Sequence, residues 1–228
     1  MNTIYIHHHL GLGDHIICSG IIRQFAKIYR NIFLFCKHNN LLNVSFLYRD
    51  LQNVTLIPIS SDSEIYTNFN IQNLLRIGFE NVSTITQKYN VGWDESFYLQ
   101  INMPFKERWD SFYVMRDIRR EESLFTKLNP NKNKFALIHS TGSDGINRIN
   151  YNLINTDLLI IEIKPSHTNN IFDYLGLIES AEEVHCIDSS LLHLVDSVKT
   201  NGQLFYHKNV NVRNITESHT QNKKWNII

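Results

Sequence analysis

The chain has 228 residues, 43% of them hydrophobic and 19% charged, enough for one large core or two small ones. Its 22 Lys and Arg balance 22 Asp and Glu, and this zero formal net charge argues against broad non-specific binding to nucleic acid. No apolar run approaches the ~18 residues of a membrane span, and no basic segment leads an apolar one at the start, so neither spanning nor export is signalled.

In chain order, Ile4–His8 reads as a strand whose apolar residues alternate. A glycine turn, Gly11-Leu12-Gly13, leads into a helix over Asp14–Tyr29 with Ile17, Ile21, Phe25 and Ile28 on one face. Ile32–Cys36 is a strand, Leu41–Leu51 a helix, and Val54–Ile59 a strand closed by a Ser-Ser-Asp-Ser turn. Residues 64–89 are ambiguous, with a helix or strand around Ile71–Ile77 and a short strand near Val82–Ile85. The aromatic stretch Trp93–Phe112 is split into two short helices by Pro104. A helix over Arg119–Leu128 and the linker Asn129–Lys134 follow.

The α/β pattern then restarts. Phe135–His139 is a strand, Ser140–Asn150 a polar loop, Leu158–Ile163 a strand and Ile171–Ser180 a helix. Val184–Ile187 is a strand running into Asp188-Ser189-Ser190 and a helix to Val198, and Leu204–His207 is a fourth strand. Trp225, Ile227 and Ile228 end a polar tail and are expected to pack back on the body. The predicted class is α/β, with two small doubly wound halves of parallel strands, 1–130 and 131–228.

Four constellations carry chemistry. The first is Gly11-Leu12-Gly13-Asp14-His15. Its third glycine position holds Ile16 and the second strand ends in Cys36-Lys37, so a nicotinamide or flavin fingerprint is disfavoured. Asp14 is either a general base or the helix N-cap, and His15 is the alternative base. The second is Asp188-Ser189-Ser190 with His193 in the first turn of a helix. A helix N-terminus offers free N–H groups to a phosphate, while ordinary capping and a core histidine explain the same residues. The third is His139-Ser140-Thr141 with Arg148, able to give hydroxyls and a guanidinium to a diphosphate or to serve as a plain loop. The fourth is Glu162, placed to hold ribose hydroxyls or to face solvent at a strand end. The sequence holds no HExxH, DxD, P-loop or GxSxG pattern, so no metal or other resident cofactor is expected. Cys18, Cys36 and Cys186 are dispersed and read as free thiols of a reducing cytoplasm.

Two stretches together resemble the heptosyltransferase-like GT-B glycosyltransferases: Leu12-Gly13-Asp14 after the first strand, and Asp188-Ser189-Ser190-Leu191-Leu192-His193-Leu194 near the other end. The resemblance covers both ends well and the middle poorly, and Ser190 stands where the family usually has glycine. It implies two Rossmann-like domains facing a central cleft. The C-terminal half would hold a nucleotide-diphosphate sugar, with Ser189, Ser190 and the helix N-terminus on the diphosphate. Asp14 would deprotonate the glycan acceptor in a metal-independent, inverting transfer. Arg148, or in reserve Lys164, would supply positive charge near the diphosphate. Two other readings stay open: a non-catalytic nucleotide-sugar or glycan-binding module of degenerate GT-B fold, and another α/β enzyme such as a nucleotide-sugar epimerase.

Overall fold

The computed structural model describes residues 2–68, 71–142, 145–146, 148–208 and 223–228. The chain divides into two compact units, one running to Met115 and the other starting at Arg116. Each is built on its own parallel sheet.

In the first unit β1 (Thr3–His7) is followed by two short helices, α1 (Leu12–Ile17) and α2 (Ser19–Ala26), then β2 (Asn31–Lys37), α3 (Leu41–Tyr48) and β3 (Val54–Ile59). After α4 (Ser63–Asn68) the chain crosses back to β4 (Leu74–Arg76), giving the sheet order β3-β2-β1-β4. The expected single helix over residues 14–29 breaks at Cys18. Hydroxyls from two other helices take the carbonyls there: Tyr48 donates to His15 at 3.2 Å and Tyr98 to Ile17 at 2.6 Å. These are carbonyls that a continuous helix would have used itself.

Helices α5 (Val82–Tyr89), α6 (Trp93–Gln100) and α7 (Glu107–Asp110) complete the unit. The expected strand near Val82–Ile85 is helical instead, bounded by Asn81 and Asn90 in the left-handed region at φ 60 and 51. The two short helices either side of Pro104 form as expected. They are joined by an ion pair between Asp94 and Arg108, both fully buried. Helix α2 packs so closely on α7 that a Cβ on Gly20 would lie 2.1 Å from the Glu107 carbonyl oxygen.

The second unit opens with α8 (Ile118–Leu128), upstream of the expected joint near residue 130. Charge pairing ties it there. Arg116 bonds Glu121 and Glu179, and Arg120 grips Asp173 bidentately at 2.8 and 2.7 Å. Strands β5 (Phe135–His139) and β6 (Leu159–Glu162), helix α9 (Leu175–Ser180), β7 (Glu183–Cys186), α10 (Ser190–Ser197) and β8 (Gln203–Tyr206) follow. β9 (Trp225–Ile227) then pairs parallel with β8, and the sheet order is β6-β5-β7-β8-β9. So the apolar end of the expected tail does pack on this unit, with Trp225 Nε1 donating to Asp196 at 2.9 Å. The polar part of that tail, 209–222, lies outside the described residues.

Both cores are made by the strand interiors. Ile4, Ile6, Ile32, Leu34 and Phe35 are buried in the first unit, and Phe135, Ala136, Leu137, Ile138 and Val184 in the second. Cys18, Cys36 and Cys186 are free and buried.

Candidate functional site

Parallel sheets bind ligands beyond the carboxyl ends of their strands, where the strand order reverses. In the first unit that point lies between β1 and β4, in the second between β5 and β7. Both sets of sequence-predicted residues fall at these edges.

At the first edge, Gly11 occupies the N-cap position and Asp14 sits in the first turn of α1, so Asp14 is not the N-cap residue. Its carboxylate folds back over Gly11, where a Cβ would come within 2.6 Å of Oδ2. A side chain at position 11 would therefore push that carboxylate out of its present place. Gly13 lies inside α1. His15 is fully buried, and neither ring nitrogen has a hydrogen-bond partner. Burial drives its pKa well below the usual imidazole range, and its ring stands edge-on to the equally buried His8, 4.4 Å away. A ring so enclosed does not reach a ligand, whereas Asp14 is partly exposed.

His7 at the end of β1 and the two histidines that follow it are committed to packing. His7 bonds Asp62 at 2.8 Å and Tyr66 at 3.2 Å. His9 bonds the Gly78 carbonyl at 2.8 Å and stacks on Phe79. His8 is pushed down to about 4, chiefly by burial.

The second edge gathers residues far apart in sequence. His139 ends β5 in register with Cys186 of β7. Three residues beyond Cys186, the hydroxyl of Ser189 meets His139 Nδ1 at 3.0 Å. Ser189 is the N-cap of α10 but its side chain makes no capping bond, so its hydroxyl serves the histidine instead. Ser140 donates to Glu162 Oε1 at 2.5 Å and lies 3.1 Å from the Thr141 hydroxyl. Tyr151 donates to the same carboxylate oxygen at 3.0 Å, and Lys164 stands 3.5 Å from the other. The Ser140 hydrogen bond, followed by Tyr151 and Lys164, holds Glu162 below the ordinary carboxylate range against a smaller opposing effect of burial.

His139 is only partly buried, and burial lowers its pKa while the Glu162 charge opposes that. Arg148 donates from its backbone N–H to the Ser140 carbonyl at 2.9 Å and from Nη1 to Ile146 at 3.3 Å. Asp188 is exposed, Ser190 opens α10, and His193 is buried in the helix's first turn. The charge of Asp188 raises the Tyr206 hydroxyl further above its usual range, after burial.

The sequence reading missed Tyr151 and a histidine run behind the loop. Asn150 N–H donates to His207 Nδ1 at 3.3 Å, so His207 Nε2 carries the proton and donates to His185 Nδ1 at 2.9 Å. His185 Nε2–H then reaches Glu183 at 3.1 Å. One backbone N–H thus sets both tautomers. The signal available was position: His207 follows the last residue of a strand at the carboxyl edge.

Among the described residues no three His, Cys, Asp or Glu side chains are grouped to hold a metal ion. Among them too, no helix is long and apolar enough to cross a membrane.

Compared with known proteins, the sequence matches no family model and no curated protein. Solved structures do match. All of this chain aligns with 86% of a glycosyl transferase family 9 protein from Veillonella parvula, at 8% identity and TM-score 0.56. All of it also aligns with 90% of the ADP-heptose lipopolysaccharide heptosyltransferase II of E. coli, at 10% identity and TM-score 0.51. The fold is the heptosyltransferase-like GT-B fold. Both parallel sheets of this chain, of four and five strands, are the Rossmann-like units of that fold.

Proposed function

We propose that this chain is a glycosyltransferase that moves a sugar from a nucleotide-diphosphate donor to a glycan hydroxyl, without a metal ion and with inversion. The observation that carries the reading is the second edge, where His139, Ser140, Glu162 and Ser189 converge on the strand-order reversal of a GT-B-like fold. Ser189, Ser190, Thr141 and the first N–H groups of α10 are assigned to the diphosphate, and Glu162 to the ribose hydroxyls. Arg148 and His193 complete the donor side. The first unit is assigned to the acceptor, with Asp14 as the base that removes the hydroxyl proton. A cytoplasmic location fits the three free thiols.

The test is a thermal-shift and calorimetric screen against UDP-, GDP-, ADP- and dTDP-sugars, followed by product analysis with a labelled donor and glycan acceptors. Binding of one nucleotide class with transfer of label is the expected result. No binding by any donor overturns the reading. Binding without transfer favours a non-catalytic module, and an isomerised donor favours an epimerase.

A further inference from the structure

Resting on the donor assignment above, we propose that His139 binds the donor's diphosphate as an imidazolium, taking up one proton from solvent as the ligand enters. The geometry supplies the reason. A diphosphate diester brings two negative charges, and the described cations nearest this edge have other partners. Lys164 faces Glu162 at 3.5 Å, and Arg148 bonds its own loop at Ile146. His139 is differently placed. It terminates the interior strand β5 beside β7, and its Nδ1 is held by the Ser189 hydroxyl at 3.0 Å. Its Nε2 has no hydrogen-bond partner among the described residues and, unlike the ring nitrogens of His15, is not sealed in the core.

The Ser189 hydroxyl can serve either protonation state. With a neutral ring it donates to Nδ1; with a charged ring it accepts from Nδ1–H, and its own proton is freed for the diphosphate or, with no ligand bound, for the Ile187 carbonyl 3.3 Å away. Protonation therefore breaks no hydrogen bond, and it makes Nε2–H a charged donor.

The groups bearing on the ring are few. From β6 the Glu162 carboxylate favours the charged form, with Lys164 paired to it. From β7 the neighbour is the Cys186 thiol, kept neutral by burial. From the β7–α10 turn come Asp188, which is exposed, and Ser189; α10 adds His193. Burial outweighs Glu162 and leaves the empty site neutral near pH 7. A bound diphosphate adds the opposite charge that reverses this balance.

The experiment uses the full chain and a nucleotide sugar, whose esterified diphosphate has no proton to exchange near neutrality. Affinity is measured between roughly pH 5 and pH 8, where an imidazole titrates, and calorimetry is repeated in buffers of different ionisation enthalpy. Linked uptake requires affinity to fall toward about tenfold per pH unit over the upper part of that range, with close to one proton absorbed per ligand. His139→Asn keeps an amide N–H near Ser189 but cannot titrate; its affinity is expected to be lower and flat with pH. A pH-independent wild-type affinity without proton uptake overturns the role of His139 and leaves the donor assignment standing. Failure of every nucleotide sugar to bind removes both.

Discussion

The two sheet edges follow one topological rule and use their polar residues in opposite ways. At the first, the histidines His7, His8, His9 and His15 point into packing: rings stack on Phe79, bond Asp62 or Gly78, or lie sealed without partners. Asp14, by contrast, is partly exposed in the first turn of α1 and folds over Gly11. At the second, serine, threonine and tyrosine hydroxyls, a carboxylate and a histidine bond one another at a partly open rim. Titratable residues are thus denser in the sequence where they are least available. What marks a site is where the polar atoms go once the strands are paired.

The largest expected effect breaks the comparison at its first term. Asp14→Asn should lower transfer by about 10²–10⁴-fold, the range of a lost general base, while nucleotide-sugar affinity stays at the wild-type value. Steady-state rates and calorimetry on the same variant check this. Wild-type turnover would reduce Asp14 to a helix-start residue and leave the first edge without chemistry.

Acid sharpens the contrast next. Burial holds His7, His8 and His15 in the first unit and His185 and His207 in the second below the unfolded value, His8 and His207 near 4. A base whose folded pKa is depressed stabilises the fold above its unfolded pKa of 6.5, and that contribution drains away as pH falls from 6.5 toward 4. Each such histidine costs on the order of 1.4 kcal/mol per pH unit in that window. Denaturant melts as a function of pH should show it. In His8→Gln the acid slope should shrink, whereas His139→Asn should leave nearly all of it, because His139 is the more open ring.

The smallest effect concerns the rim itself. Ser140→Ala removes the foremost contact holding Glu162 down, so the Glu162 carboxyl should titrate at higher pH in carbon-detected NMR. The stability cost should be about 0.5–1.5 kcal/mol, one hydrogen bond with a partner that Tyr151 and Lys164 still serve.

Much of the fold was legible in the sequence because short apolar runs alternating with helical periodicity leave few choices. Val54–Ile59 and Phe135–His139 form strands over the expected residues. Distant contacts account for the rest. The break at Cys18 is made by tyrosines 30 and 80 positions away from it. Val82–Ile85 has the branched residues of a strand, yet it forms an outer helix with no buried residue. The joint near residue 130 was set by a Pro-Asn run, whereas Arg116 and Arg120 fasten the preceding helix to the second unit. For the site, both edges and most of their residues could be named from strand–turn–helix patterns. The meeting of His139 with Ser189, 50 residues on, could not.

Strand β9 gives the molecule a temporal asymmetry. The first unit draws its sheet from residues before 77, so that sheet has all its described strands once Arg76 has been made. The second sheet waits for residues 225–227, and until they leave the ribosome β8 presents a bare hydrogen-bonding edge with Trp225 absent from Asp196. The sheet of the half assigned to the acceptor can therefore form early during synthesis, while the half assigned to the donor gains its fifth strand only once residues 225–227 have been made. A nascent chain halted before residue 225 would carry one finished sheet and one inviting partner edge, and it is there that a stalled product would aggregate.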